Sequence, residues 1–242
     1  MKFLEYIICK GRYEFMDYYF ITYGLSLIAV IITLGAQFFV SSSYSKYMKV
    51  RNKKGISGQE VARYILDKNG LSDIDVVEVS GYLTDHYDPK NRVIRLSSGI
   101  YNNGTIAAVS VASHECGHAI QDKEGYLFMR IRSSLVPVVN FSSYAGYIAI
   151  MLGIISSSFN LIWIGIILEC AILLFQVVTL PVEIDASRRA LDELNNSNLL
   201  DNEEIKNGKV MLTSAALTYV ASVANTLIQI LRLILLYGRR DD

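Results

Sequence analysis

The sequence predicts a mainly α integral membrane protein with about four transmembrane helices and a small α+β lobe. Apolar residues make up 52% of the 242 residues and charged residues only 19%, whereas about a quarter of a typical soluble domain is charged. The apolar excess is concentrated in four long segments. Between the first and second of these lies a polar stretch with turn-forming residues and short β-branched runs, which predicts a small folded lobe.

The four apolar segments are long enough to cross a bilayer as helices. The first, 18–40, has 23 residues without a charge, which is about 34 Å of helix against a hydrocarbon core of about 30 Å. The second and third, 135–156 and 159–182, are separated by so few residues that a helical hairpin is expected. The fourth, 211–237, contains several polar residues and fits a span packed inside a bundle; a long buried helix is the alternative.

A signal peptide is the alternative for the first segment, but signal peptides have a shorter apolar core and a small-residue cleavage site. With the first segment as a span, the chain divides into five parts. These are an N-terminal segment with the first span (1–44), the polar lobe (45–133), the hairpin of spans (134–182), a helix with a linker (183–210), and the last span with its tail (211–242).

Within the lobe, local signals predict one capped helix and two strands. Ser57 and Glu60 have capping-box spacing, which predicts a helix that ends at Gly70. Short strands are expected at 75–80 and 91–97. The segment between them has the composition of a turn, so the two strands are expected to form a short hairpin.

The charge balance argues against a nucleic-acid partner. The chain has 23 Lys and Arg residues against 23 Asp and Glu residues, so it lacks the bulk positive charge with which proteins coat nucleic acid. Its three cysteines, Cys9, Cys116 and Cys170, are too few for a framework of several disulfides. We expect Cys116 to be a small core residue.

A helix predicted over 105–122 carries the strongest chemical signal. It contains His114-Glu115-Cys116-Gly117-His118, an H-E-x-x-H pattern. Residues four apart share one helical face, so both imidazoles can reach one metal ion. Glu115 is offset from that face and can act as the general base on a metal-activated water. The pattern therefore predicts a site for one Zn²⁺ ion, with Glu115 as the catalytic residue.

A catalytic zinc site needs a third protein ligand. The second and third spans cross the membrane out and back, which returns Glu183 to the side of His118. We expect Pro181 to begin a renewed helix that aims Glu183 at the metal. Asp185 and His86 are the alternative third ligands, but two histidines with a glutamate are a known catalytic zinc set.

Two acidic residues have structural alternatives. Glu183 would otherwise be an interfacial carboxylate paired with Arg188 or Arg189. Glu169 lies inside the third span, where acids are functional candidates by default, and the alternative is an ion pair with Arg232 of the fourth span. A transporter would need several intramembrane carboxylates, and only Glu169 qualifies.

His86 and Tyr87 are candidates for the substrate cleft. They lie in the predicted hairpin, and an exposed edge strand can hold a peptide by strand addition. A purely structural role for the hairpin is the alternative.

The sequence resembles the small bacterial membrane zinc metallopeptidases of the YugP type, also called neutral zinc metallopeptidase family 2. The resemblance covers nearly all of 18–237 and implies a zinc peptidase that acts through its H-E-x-x-H motif. The matching stretches are LTDHYDP (83–89), VIRLS (93–97), AAVSVASHECGHAIQD (107–122), LPVEIDASRRAL (180–191) and AALTYVAS (215–222).

A wider resemblance is to the gluzincins, in which a glutamate of an E-x-x-A-D segment on a later helix is the third ligand. Here Glu183 and Ala186 match that segment, but Ser187 replaces its final Asp. The resemblance thus favours Glu183 as the ligand. It leaves open which acid accepts a hydrogen bond from the second ring nitrogen of a metal-bound imidazole. Asp185 is a candidate for this acid.

The sequence therefore predicts a membrane-embedded, zinc-dependent endopeptidase that acts on peptides or membrane proteins. A non-catalytic, zinc-stabilised membrane scaffold or adaptor is the alternative. Of the 23 basic residues, 17 lie between Lys46 and Lys209, around the predicted site. Because basic residues near spans favour the cytoplasm, we expect a multi-pass protein of the bacterial cytoplasmic membrane, with a cytoplasmic active site and both termini outside.

Overall fold

The protein is mainly helical, with one small sheet. A computed structural model describes residues 19–237, and residue 18 and the two tails lie outside that range. A π-helical turn, Phe20–Gly24, leads into the first helix. The elements are α1 (Leu25–Tyr47), α2 (Gly58–Lys68), β1 (Asp75–Val79), β2 (His86–Asp88), β3 (Val93–Ser97), α3 (Ser98–Tyr101), α4 (Ile106–Lys123), α5 (Leu127–Ile155), α6 (Phe159–Asn196) and α7 (Asn202–Tyr237).

Within residues 19–237, four helices are long and apolar enough to cross a membrane: α1, α5, α6 and α7. Each overlaps one of the four predicted apolar segments, although α1 begins later than predicted and residue 18 lies outside the described range. The expected mainly α membrane fold with a small α+β lobe is confirmed. The expected helix break at Pro181 is wrong, because α6 continues through it. A proline removes one backbone donor from a helix, and membrane helices tolerate that loss where neighbouring groups satisfy the freed carbonyl.

The described residues divide into two compact units. The span unit comprises 19–35, 134–177 and 220–237, and the site unit comprises 36–133 and 178–219. The core of the span unit contains Ile162 and Ile166 of α6 with Ile230 and Leu233 of α7.

The site unit is built around α4, which is buried along most of its length. α2 packs against it through residues such as Val61 and Ile65, which are fully buried. The predicted capping box of α2 is confirmed, since the Ser57 side chain accepts from the Glu60 N–H and the Glu60 carboxylate accepts from the Ser57 N–H. The helix ends before Gly70, whose φ of 64° is a left-handed conformation that suits glycine.

The sheet has three strands in the order β1-β3-β2. β1 pairs with β3 in parallel, with Asp75 opposite Val93. Both predicted strands are present, but the expected hairpin between them is wrong. The intervening segment forms β2, which pairs antiparallel with β3 and places Tyr87 opposite Ile94. Because β2 reverses the chain before β3, β1 and β3 run in the same direction.

Candidate metal centre

Helix α4 presents the three residues of the H-E-x-x-H pattern from one rigid element. Thr105 caps the helix, because its side chain accepts from the Ala108 N–H at 3.2 Å. The rings of His114 and His118 lie edge to face, with centroids 4.7 Å apart. Glu115 and His118 are both buried, so the histidine pair is not an incidental surface feature.

Glu183 of α6 meets both histidines. Its Oε2 atom lies 3.3 Å from Nε2 of His114 and 3.7 Å from Nε2 of His118. One ligand atom from each of the three residues lies within 4.8 Å of the other two. Among the His, Cys, Asp and Glu side chains of residues 19–237, these three therefore form a group that could hold a metal ion.

The arrangement fits a zinc ion. Zinc binds imidazole nitrogen and carboxylate oxygen at about 2.0–2.2 Å, so ligand atoms at the corners of a tetrahedron lie about 3.3 to 3.5 Å apart. The two contacts to Glu183, at 3.3 and 3.7 Å, are close to that separation. Two imidazoles and one carboxylate are also a known catalytic donor set, which leaves the fourth position for water or substrate.

Gln121 orients His118 through Nδ1, the ring nitrogen that does not face Glu183. Nδ1 of His118 lies 3.0 Å from Oε1 of Gln121, so an N–H at Nδ1 donates to the amide and leaves Nε2 free for a metal. The Gln121 amide donates in turn to the Val182 carbonyl at 2.8 Å and to Asp185 at 3.0 Å. Partners of this kind set the tautomer of a ligating histidine. Asp185 is thus connected to His118 by hydrogen bonds of the Gln121 amide.

Ser187 contacts the corresponding ring nitrogen, Nδ1, of His114. Its Oγ lies 3.1 Å from Nδ1 of His114. This is the position at which the chain departs from the E-x-x-A-D pattern, so a hydroxyl stands where that pattern has an acid. Both histidines therefore have an oxygen atom within hydrogen-bond distance of Nδ1, and both direct Nε2 towards Glu183.

A backbone group of β2 holds Glu115. The Tyr87 N–H donates to Oε2 of Glu115 at 2.9 Å. The Tyr87 side chain is itself buried, and its hydroxyl donates to Asp122 at 2.9 Å. Because Asp122 belongs to α4, strand β2 is attached to the metal-site helix at two points, one of which is the candidate general base.

A cavity of about 170 Å³ adjoins the ligands and is open to His114, Glu115 and Glu183. Its other lining residues are mostly apolar: Val40, Tyr44, Leu83, Asp85, Val111, Ser187, Met211, Leu212, Ala215, Ala216 and Tyr219. Arg132 of α5 approaches the same centre, with Nη1 3.7 Å from Oε1 of Glu183. The site thus combines a metal-ligand set, a buried carboxylate and an apolar pocket.

The electrostatics of α4 distinguish His118 from Cys116. Burial lowers the pKa of His118, but the hydrogen bond with Glu183 and the charge of Glu115 outweigh burial, so the net pKa lies above its ordinary value. Burial strongly raises the pKa of the Cys116 thiol. Cys116 is fully buried and is therefore an inert core residue by its environment rather than a nucleophile.

Other sequence candidates lie away from the three ligand atoms. His86 is exposed, and its Nδ1 contacts the Thr84 carbonyl. Asp185 is bound by Arg188 and Arg189, so these arginines pair with Asp185 and not with Glu183. Leu83 and Asp85, rather than His86 and Tyr87, line the cavity.

Sequence reasoning did not find the role of Gln121. It follows His118 by three residues on the same α4 face, and that spacing was a usable signal, since a polar side chain there can reach the imidazole.

Residues 22–238 match the family described as "Putative neutral zinc metallopeptidase". The chain belongs to this family. The chain is also 44% identical over 219 residues to a curated relative from Bacillus subtilis (strain 168), "Putative membrane protease YugP". That alignment covers 90% of this chain and 97% of the relative. No solved structure was found to match the chain.

Membership of the neutral zinc metallopeptidase family fits the donor set described above. The matched region includes α4 with both histidines and α6 with Glu183.

Proposed function

We propose that the protein is a zinc-dependent endopeptidase of the bacterial cytoplasmic membrane. His114, His118 and Glu183 would hold one zinc ion, and Glu115 would be the general base. The observation that carries the proposal is the convergence of the three ligand atoms beside a buried glutamate and a cavity. The family match and the name of the Bacillus relative support the same activity.

In the proposed mechanism, a bound zinc ion would polarise the scissile carbonyl and make a water molecule acidic enough to react near neutral pH. Glu115 takes a proton from the attacking water and later donates it to the leaving amine. The Tyr87 N–H keeps the Glu115 carboxylate in place during both transfers. The Gln121 amide oxygen favours the tautomer of His118 that leaves Nε2 available for the metal, and Ser187 orients the ring of His114. No covalent intermediate with the protein is needed.

A Glu115→Gln variant tests this mechanism. We expect the purified variant to bind zinc like the wild type and to lose cleavage of casein by at least about a hundredfold, the usual contribution of a general base. Glu203→Gln is a matched control, because Glu203 is exposed at the start of α7. Equal casein cleavage by the two variants would exclude Glu115 as the base. Zinc binding without cleavage in the wild type would favour the scaffold alternative.

The cytoplasmic position of the site is part of the proposal. It rests on the basic residues that flank the apolar segments, such as Lys46, Lys49, Arg130 and Arg132. A reporter fused to the C-terminus is expected to be active outside the cytoplasm. A cytoplasmic C-terminus together with four crossings would reverse the orientation.

The substrates are proposed to be peptides or membrane proteins whose cleavage site lies near the bilayer. The lining of the cavity is mainly apolar, which suits an apolar side chain next to the scissile bond. His86 remains a candidate contact, since its side chain is exposed on β2. A His86→Ala variant is expected to raise KM for a peptide substrate and leave kcat close to that of the wild type.

A further inference from the structure

One face of α7 in the span unit carries three polar side chains. Asn225, Gln229 and Arg232 are spaced by four and three residues, so they share a helical face. The Nε atom of Arg232 is buried and has no hydrogen-bond partner within residues 19–237. The side chains of Asn225 and Gln229 likewise form no hydrogen bond with another described residue.

Arg232 also lacks a counter-ion in the span unit. Glu169 is the other charged residue of that unit within the described range. The alternative of an ion pair between them is wrong, because none of the salt bridges in the described part of the chain joins Glu169 to Arg232. Charged side chains inside a membrane normally pair with an opposite charge or reach the interface, and the described groups of the span unit do not pair with Arg232.

The three side chains face a cavity of about 400 Å³, whose second wall is α1. That wall is apolar, with Ala29, Val30 and Leu34. The α1 hydroxyls do not supply donors to the cavity. Ser26 donates to the Thr22 carbonyl of the preceding π-helical turn at 2.6 Å, and Thr33 donates to the Ala29 carbonyl of α1 at 2.9 Å. Every free donor of the cavity therefore lies on α7.

The order of the donors along α7 matches the order of polar groups in a phospholipid. Arg232 lies five residues before Tyr237, about 7.5 Å along the helix, so its long side chain can reach the headgroup level. Gln229 and Asn225 follow one and two turns deeper. A phospholipid has its phosphate outermost, then its glycerol and ester carbonyls, and then its acyl chains.

We propose that this cavity binds the headgroup of an anionic phospholipid. The guanidinium of Arg232 is a planar donor that binds phosphate in two-point contact, and the two amides donate to the ester carbonyls. The apolar wall of α1 contacts the first part of the acyl chains. The volume lies near the lower end of ligand pockets, which suits a headgroup with its chains in the bilayer. This site does not depend on the proposed peptidase function.

The test uses the full-length protein in a nonionic detergent, with phosphatidylglycerol or phosphatidylcholine added and thermal unfolding recorded. The wild type is expected to be stabilised by phosphatidylglycerol at lower concentration than by phosphatidylcholine. Arg232→Gln is expected to raise the half-maximal phosphatidylglycerol concentration at least about tenfold, since a charge-assisted hydrogen-bond pair is lost. Lys206→Gln removes an exposed cation of the same helix and is expected to behave like the wild type.

Three outcomes would overturn the proposal. They are an unchanged half-maximal concentration in Arg232→Gln, equal stabilisation by the two lipids, and stabilisation by oleate alone, which would assign the cavity to a fatty acid. If Arg232→Gln does not fold, Gln229→Leu keeps the charge and removes one donor. It is expected to weaken phosphatidylglycerol binding severalfold, and an unchanged concentration there would also contradict the site.

Discussion

Gly117 of α4 lies directly against the backbone of Ala186 in α6. A Cβ atom at Gly117 would lie 2.5 Å from the Ala186 carbonyl oxygen, a distance that real Cβ atoms do not adopt. Gly117 stands between His114 and His118 in sequence, and Ala186 follows Glu183 by three residues. The missing side chain thus lets α4 and α6 approach closely enough for Glu183 to reach both imidazoles.

Replacing Gly117 by alanine is expected to push α6 away from α4. Because the obstacle is backbone and not a flexible side chain, we expect zinc affinity to fall by about a hundredfold or more, and stability to fall by about 1–3 kcal/mol as for other overpacked sites. Zinc affinity can be measured by competition with a chromophoric chelator. Gly99→Ala is the control, since its Cβ would meet only ordinary contact at 3.7 Å. Wild-type affinity in Gly117→Ala would contradict the account.

Gln121→Leu is expected to weaken zinc binding without removing a ligand. The change leaves Nδ1 of His118 without its acceptor and the Val182 carbonyl without its donor. Loss of such orienting partners lowers metal affinity by about 10- to 100-fold. The same competition assay applies, with Gln59→Leu as the control, because Gln59 lies on α2 away from the ligands. An affinity within twofold of the wild type would show that Gln121 does not orient His118.

The sequence predicted the histidine pair of the candidate metal site because that information was local. The spacing of His114 and His118 needs only a helix, and helix α4 has strong local signals. Glu183 lies 65 residues after His118, so local spacing does not predict that the two residues meet. That prediction depends on the two intervening membrane crossings and on the family resemblance. Ser187 was visible as a departure from a pattern, but its contact with His114 depends on how α6 packs on α4.

The errors arose where tertiary contacts outweigh local preference. The segment that contains Tyr87 has turn composition, yet it forms β2 because it pairs with β3 and donates to Glu115. Pro181 signals a helix start, yet α6 continues through it, since one lost donor costs less than a break in a long apolar helix. Neither the pairing of β2 nor the continuation of α6 can be predicted from residues nearby in sequence.

Asp88 is expected to make the β2–β3 hairpin sensitive to acid. Hydrogen bonds from Asn91, together with Arg95 at 2.6 Å, hold the pKa of Asp88 well below its ordinary value. A carboxyl whose pKa is lowered by folding adds stability above its unfolded pKa, near 4, and loses it as the pH falls through the folded pKa. Asp88→Asn should therefore lower the melting temperature at pH 7, and its difference from the wild type should shrink below about pH 4.

Thermal unfolding of both proteins between pH 3 and pH 7 measures this effect. Asp75→Asn is the control, because Asp75 is exposed on β1 and forms no salt bridge with another described residue. A difference between the wild type and Asp88→Asn that is independent of pH would mean that the Asp88 charge does not stabilise the hairpin.

Removal of zinc is expected to lower stability through the three ligands and not through Glu115. An ion that binds only the folded state adds about 4 kcal/mol when present at a thousand times its Kd, which is a shift of about 10 °C in melting temperature for a chain of this size. EDTA treatment of the wild type should therefore lower the melting temperature by that amount, and added zinc should restore it. Glu183→Ala should melt at the lower temperature with or without EDTA. Glu115→Gln should respond to EDTA like the wild type, because the Glu115 carboxylate accepts from the Tyr87 N–H and is not among the three ligand groups. If Glu115→Gln also lost the EDTA response, Glu115 would have to be a ligand, and the separation between metal binding and proton transfer would be wrong.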